Sequence, residues 1–176
     1  MAAIIAAYAW LNNEPGPRML KEALALYGTL ETPGTKNNPV IMRWVDETGV
    51  SGYTHDSVPW CGLLIAVAAK RAAWPIPEAP LWALNWGKWG KKSPQPMLGD
   101  VLTFTRPGGG HVALYVGEDA STYHVLGGNQ ADSVNIIRVL KTRLKAARRP
   151  AWRIAQPANV RVVRLAATGA ISTNEG

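Results

Sequence analysis

The chain has 176 residues, a length that predicts one domain able to bury its own core. Apolar residues make up 47% and charged residues 18%, which excludes an intrinsically disordered protein. The net charge is +7, and the single cysteine, Cys61, excludes an intramolecular disulfide framework and a cysteine-rich zinc site.

The N-terminal residues 1–11 are apolar, but they lack a basic leader and are followed at once by polar residues. The run is also too short to span a bilayer, which takes about 20 residues. We therefore expect a protein that is made in the (host) cytoplasm without a signal peptide and does not insert stably into a membrane.

The first half of the chain has apolar residues at helical spacing, bounded by Pro, Gly and Asn. It predicts four helices: Pro17–Tyr27, Pro39–Glu47, Pro59–Trp74 and Leu81–Trp89. The third is apolar on nearly every face, which indicates a central, buried helix. The fourth carries a stripe of Trp82, Trp86 and Trp89; this spacing favours a core position over a sugar-binding groove.

From Gly99 onward the pattern changes to short apolar or alternating runs separated by Gly and Asn clusters. These runs predict strands at Val101–Thr105, His111–Val116, Thr122–Leu126 and Val134–Val139, with further candidates at Trp152–Ala155 and Val160–Arg164. Helices followed by antiparallel strands predict an α+β fold, with N-terminal helices packed on a C-terminal sheet. We expect residues 1–165 to form a single domain and residues 166–176 to be a flexible tail.

Cys61 lies in the first turn of the predicted buried helix. The unpaired N–H groups and positive dipole end of a helix start favour a thiolate, so this position is suited to a nucleophile. The alternative is a small buried hydrophobic residue, the usual role of a free cysteine.

A thiolate nucleophile needs a base, and the chain has three histidines. His111 has the best setting because it opens a strand after three glycines, whereas His124 lies inside a strand and His55 in a loop. The sequence Gly-Gly-Asn-Gln ends the next strand, so an antiparallel pairing returns Asn129 to the level of His111, where its amide can orient the imidazole. The alternative is that this segment is simply a turn.

The order of a cysteine on a helix, a histidine on a strand and an asparagine after the next strand is that of the papain-type Cys-His-Asn arrangement. We therefore predict Cys61, His111 and Asn129 as catalytic residues. Trp60, beside the nucleophile, and Gln130, after Asn129, are predicted to contact the substrate.

Four segments carry a resemblance to a known family: Pro59-Trp60-Cys61, Gly99-Asp100-Val101, residues 110–117 (GHVALYVG) and residues 126–130 (LGGNQ). Together they resemble the CHAP group of cysteine peptidoglycan hydrolases, related to the NlpC-type peptidases, and in particular endolysins of phages and prophages of Gram-negative hosts. The resemblance implies a papain-like α+β fold that acts in the periplasm on the peptide part of the cell wall. By position it makes Cys61 the nucleophile, His111 the base and Asn129 the orienting residue.

Two features depart from that family. Residues 62–65 are Gly-Leu-Leu-Ile where small and aromatic residues are expected, and the acidic loop that binds calcium in some members is missing. We therefore predict no metal and no cofactor. The resemblance leaves open whether the enzyme is an amidase or an endopeptidase. A non-catalytic module that binds cell wall or nucleic acid on the same fold is the alternative.

The positive charge is concentrated at the C-terminal end: residues 133–176 hold nine Lys or Arg residues against one acid. Such a segment can be a solvated surface or can bind nucleic acid, a membrane or an anionic wall polymer. No nucleic-acid-binding motif is present, so we favour an anionic envelope polymer beside peptidoglycan as partner, bound by a monomer.

Overall fold

The computed structural model describes residues 5–173 and 175. Its α-helices are α1 (Arg18–Leu24), α2 (Pro39–Thr48) and α3 (Cys61–Arg71). Three 3-10 segments accompany them: Ala6–Asn13, Ala83–Lys88 and Lys141–Arg143. None of the helices in this described part is long and apolar enough to cross a membrane.

Seven strands form one sheet. They are β1 (Lys91–Lys92), β2 (Val101–Arg106), β3 (Gly109–Glu118), β4 (Thr122–Gly127), β5 (Asn135–Leu140), β6 (Leu144–Arg149) and β7 (Ile171–Ser172). Their spatial order is β1-β6-β2-β3-β4-β5-β7, and every pairing is antiparallel except that of β5 with β7. The predicted α+β class, with helices first and a largely antiparallel sheet after them, is confirmed.

Helix α3 is the centre of the core, because α1, α2 and β3 all pack against it. Every side chain from Cys61 to Ala69 is buried, and Lys70 is the first to reach solvent. This explains why the helix is apolar on nearly every face. It also holds the start of α3 rigidly against the sheet.

One predicted helix differs in the structure. The segment predicted as a helix at Leu81–Trp89 is only a 3-10 segment, in which Trp86 and Trp89 are buried while Trp82 is 74% exposed. The indole N–H groups of Trp86 and Trp89 donate to the carbonyls of Pro80 and Pro75, so these rings anchor a proline-rich loop.

The strands predicted at Trp152–Ala155 and Val160–Arg164 are wrong. The structure instead has a strand that was not predicted, β6, just before them. Beyond it, Arg164 makes only an isolated bridge with Glu118. Side-chain hydrogen bonds hold this segment in place of a strand ladder. Tyr115 Oη donates to the carbonyl of Val163 and accepts from its backbone N–H.

The described residues of the C-terminal segment 166–176, which was predicted to be a flexible tail, contact the sheet. Strand β7 of this segment pairs with β5, and Arg138 donates to the carbonyl of Gly169 at 2.6 Å. Glu175 is buried and forms a bidentate ion pair with Arg143 at 2.7 and 2.6 Å. Residues 174 and 176 lie outside the described residues.

The basic C-terminal quarter is largely neutralised within the fold. Six of its nine cations form ion pairs with acids: Arg138 with Asp119, Lys141 and Arg164 with Glu118, Arg143 with Glu175, Arg149 with Asp100, and Arg161 with Glu14. Asp100, Asp119 and Glu118 are buried, so these pairs fix the C-terminal strands to the rest of the domain. This segment is therefore not the free basic surface that its sequence suggests.

Candidate active site

Cys61 is the first residue of α3 and is only 4% exposed. The chain closes over this helix start, since a Cβ at Gly62 would lie 2.3 Å from the carbonyl oxygen of Pro80. Only glycine fits there. The glycine at residue 62 thus has a local steric cause.

The thiol of Cys61 lies against β3 at Val112, the residue after His111. Cys61 packs with Val112 on one face of the sheet, whereas the His111 ring stacks on Phe104, which belongs to the core cluster on the other face. The backbone N–H of Val112 lies close enough to the thiol to act toward a lower pKa of Cys61. This N–H is available because β3 pairs with β4 only from Leu114 onward. The end of the β3–β4 ladder therefore leaves a gap in which the helix start meets the sheet.

His111 is held in place from its own hairpin. A two-residue turn at Pro107-Gly108 joins β2 to β3, and Gly108 supplies the positive φ of 77° that such a turn needs. The cross-strand partner of His111 is Phe104, whose ring stacks on the imidazole at 6.5 Å between centroids. The imidazole is 1% exposed.

The orienting group of His111 is Gln130. Its Oε1 lies 2.9 Å from His111 Nε2, and its Nε2 donates to both the carbonyl and the side-chain oxygen of Asn135 at 2.8 Å. Because both amide hydrogens are used on Asn135, Oε1 is the end that faces His111. His111 Nε2 therefore carries the proton, and Nδ1 is left as the basic nitrogen.

The Gly-Gly-Asn-Gln segment is shaped for this contact. A Cβ at Gly127 would lie 2.4 Å from Oε1 of Gln130, and one at Gly128 would lie 2.6 Å from the ring of Trp60. Asn129 takes the left-handed conformation at φ 55° and turns the chain so that Gln130 reaches back. The two glycines thus make room for the amide on one side and for the start of α3 on the other.

The structure shows the surroundings of three residues whose roles were predicted. The amide that hydrogen-bonds His111 is that of Gln130, not that of Asn129. Gln130 is fully buried and hydrogen-bonds the imidazole. Trp60 is also fully buried, packed on Trp44 and donating to Glu31 at 3.2 Å. A substrate contact of either residue stays a prediction.

The other two histidines take no part in this site. His124 is buried between Tyr8 Oη at 2.7 Å and Asp119 Oδ2 at 3.0 Å, and this network ties the N-terminal 3-10 segment to the sheet. His55 is exposed in its loop. In the described part of the chain no hydrogen bond joins the Cys61 thiol to the His111 imidazole, so proton transfer between them requires a movement that brings the imidazole to the thiol.

Burial favours the neutral form of both reacting groups. It raises the pKa of the Cys61 thiol, against which the Val112 N–H and the charge of Arg106 act in the opposite direction. Burial also lowers the pKa of His111 to about 4, while the Gln130 hydrogen bond and the Glu175 carboxylate act to raise it. The resting pair is thus a thiol and a neutral imidazole.

The interaction with Glu175 predicts a shift in the pH dependence of any activity that uses His111 as a base. Such an activity is lost as the pH falls through the pKa of His111, near 4. Glu175→Gln removes the anion that raises this pKa and frees Arg143, which lowers it. We expect the acid limb of kcat/KM to move to lower pH, measured as a pH–rate profile.

The control for this profile is Glu78→Gln, which removes an exposed acid and leaves the limb in place. An unchanged limb in Glu175→Gln, or a shift to higher pH, contradicts the electrostatic coupling of Glu175 to His111.

Two hydroxyl residues that shortly precede α3, Tyr53 and Ser57, are not placed as a second donor to an oxyanion. Tyr53 donates its hydroxyl to the carbonyl of Val58 at 3.1 Å, so that proton is already engaged, and Ser57 is exposed. Across the described residues, no group of three or more His, Cys, Asp or Glu side chains is placed to hold a metal ion.

Comparison with known proteins adds no relative: no family model matches the chain, and no curated protein matches it significantly. The site therefore rests on its own geometry and on the resemblance of its motifs.

Proposed function

We propose that this protein is a cysteine hydrolase that cleaves amide bonds with Cys61 as nucleophile and His111 as base. The observation that carries this proposal is the hydrogen bond from His111 Nε2 to Gln130, which leaves Nδ1 basic in a site where the cysteine meets the same strand. A nucleophile, a base and an orienting group are the three parts that such catalysis requires.

The steps follow from the protonation states. Nδ1 of His111 takes the proton of the thiol as the Cys61 sulfur bonds to the amide carbonyl carbon. The backbone N–H of Cys61, at the start of α3, donates to the oxyanion that forms. The C–N bond then breaks, and the imidazolium gives its proton to the leaving amine. Water, deprotonated by His111, cleaves the thioester and regenerates the thiol.

The substrate class we propose is peptidoglycan. It is supported by the combined motif around Cys61, His111 and residues 126–130 and by its resemblance to the CHAP peptidoglycan hydrolases. The cleaved bond is either the amide between the sugar and the first residue of the stem peptide or a bond within the stem. We propose the periplasmic cell wall as the place of action and an endolysin-like role.

The burial of the two reacting groups favours a second candidate, a non-catalytic binding module. Cys61 is 4% and His111 1% exposed, and Leu84 lies over Gly110 at the start of the His111 strand. A module that only binds cell wall does not need a substrate to reach the thiol. Turnover, in contrast, requires this cover to open.

The deciding experiment is digestion of purified, insoluble peptidoglycan followed by mass spectrometry of the released fragments. New amino or carboxyl termini that increase with time support the hydrolase. Their position shows whether the enzyme is an amidase or an endopeptidase. Because Cys61 is the single cysteine, prior alkylation with iodoacetamide provides the matched control and is expected to stop the release. Binding without new termini supports the module instead.

A further inference from the structure

A groove lies at the far end of α3 from Cys61. It is lined by aromatic and aliphatic residues that include Trp74, Trp89, Trp152 and Ile154, and it holds about 680 Å³. Ile154 is 83% exposed. The 11 residues of α3 separate this groove from the thiol by roughly 16 Å at 1.5 Å per residue. The groove is therefore a feature apart from the candidate active site.

The tryptophans of the groove differ in how their N–H groups are used. Trp74 and Trp152 meet edge to face at 5.3 Å between ring centroids. Trp89 donates its N–H to the carbonyl of Pro75 at 2.7 Å, whereas Nε1 of Trp152 is buried and finds no acceptor among the described residues. An unpaired buried donor is costly, so a turn of the Trp152 ring that brings this N–H to an acceptor is favoured.

Cations border the same groove. A second depression, which shares Trp152 and Ile154 with it, is lined by Lys91 and Lys92 on β1. Both lysines are exposed and make no ion pair within the described part of the chain, unlike the neighbouring Arg149, which is paired with Asp100. Two positive charges that make no ion pair among the described residues thus lie beside this groove, and Arg153 is among the residues that line it.

We propose that this groove is a second peptidoglycan-binding site. The flat face of an indole ring packs on the C–H face of a sugar ring, and several indole rings line this groove. Lys91 and Lys92 pair with free carboxylates of the stem peptides. Peptidoglycan carries both chemistries side by side, which matches an apolar groove with a cationic border. The inference rests on the proposed function for its substrate class.

The test uses the full chain with Cys61→Ala, so that binding is measured without turnover. Sedimentation with purified insoluble peptidoglycan gives the bound fraction as a function of polymer concentration. We expect Trp152→Ala to weaken binding about tenfold, as for a central aromatic contact, and Trp152→Phe to lose less because it keeps a ring. Lys91→Ala with Lys92→Ala is expected to weaken binding several-fold and to reduce its salt dependence.

The matched control is the pair Lys21→Ala and Lys36→Ala, which removes two exposed charges elsewhere and is expected to bind normally. Thermal unfolding of each variant shows whether Trp152→Ala remains folded; if it does not, the exposed lysine pair carries the test. Unchanged binding in the folded groove variants overturns this site even if wild-type turnover stands. The proposal is also overturned if heparin displaces the protein from insoluble peptidoglycan as well as soluble peptidoglycan fragments do, since the groove then attracts any polyanion. Retained binding by Cys61→Ala supports the groove even if turnover fails.

Discussion

Cys61→Ala and His111→Ala are each expected to lower peptidoglycan turnover by about 10⁴-fold or more, the effect of removing a nucleophile or its base from such a pair. Cys61→Ala removes the only thiol, and His111→Ala removes the nitrogen that accepts its proton. The double variant is expected to be no worse than either single one, because the two groups act as a unit. Release of soluble fragments from purified peptidoglycan measures the loss.

The two variants also differ in their expected stability, which serves as an internal check. Cys61→Ala removes one sulfur from the core. His111→Ala leaves Oε1 of buried Gln130 without its partner, which costs about 1–3 kcal/mol. His111→Asn restores an amide donor near that oxygen and tests the loss of the base in a more stable background. Turnover above one hundredth of the wild-type rate in folded Cys61→Ala contradicts the nucleophile assignment.

The sheet shows what apolar alternation predicts and what it misses. Strands β2 to β5 carry buried apolar residues and were predicted within a few residues of their observed bounds. Strand β6 reads Leu-Lys-Ala-Ala-Arg-Arg. Its apolar contribution to the core is small, from Ala147 and Leu144, and its Arg149 is held by the distant Asp100. Partners far apart in sequence leave no periodic signal.

The tryptophan stripe shows the limit of helical spacing. Trp82, Trp86 and Trp89 have the i, i+4, i+7 pattern of an amphipathic helix, yet the segment is a 3-10 turn with Trp82 outside. The side-chain hydrogen bonds of Trp86 and Trp89 to proline carbonyls decide the conformation. Tertiary contacts of this kind override local propensity.

At the candidate site, the sequence places Cys61 at a helix start and His111 at a strand start, and the structure has both positions. It does not distinguish between the neighbouring amides Asn129 and Gln130, because both can accept from an imidazole. The distinction depends on the left-handed backbone at Asn129, which directs Gln130 toward β3. The sequence feature that could have indicated this contact is the pair of glycines before Asn129. Gly127 leaves the space that the Gln130 amide occupies.

Gln130→Ala is therefore expected to lower kcat by about 100-fold, since the loss of an orienting partner typically costs 10–100-fold or more. The imidazole loses its preference for the proton on Nε2, so Nδ1 is no longer reserved as the base. The Gln130 hydrogen bond also raises the pKa of His111, and its loss moves the acid limb of kcat to lower pH. A merely structural role for Gln130 does not predict that shift.

The matched variant is Asn129→Gly. It removes the neighbouring amide, and glycine adopts the φ of 55° at this position without strain. It is expected to retain most of the wild-type kcat and its pH profile. The opposite ranking, with Asn129→Gly inactive and Gln130→Ala active, assigns the orienting role to Asn129 as in the papain-type arrangement. Equal and small effects of both leave His111 without an orienting amide and contradict the catalytic reading of the whole segment, since a base with an unfixed tautomer is a poor partner for Cys61.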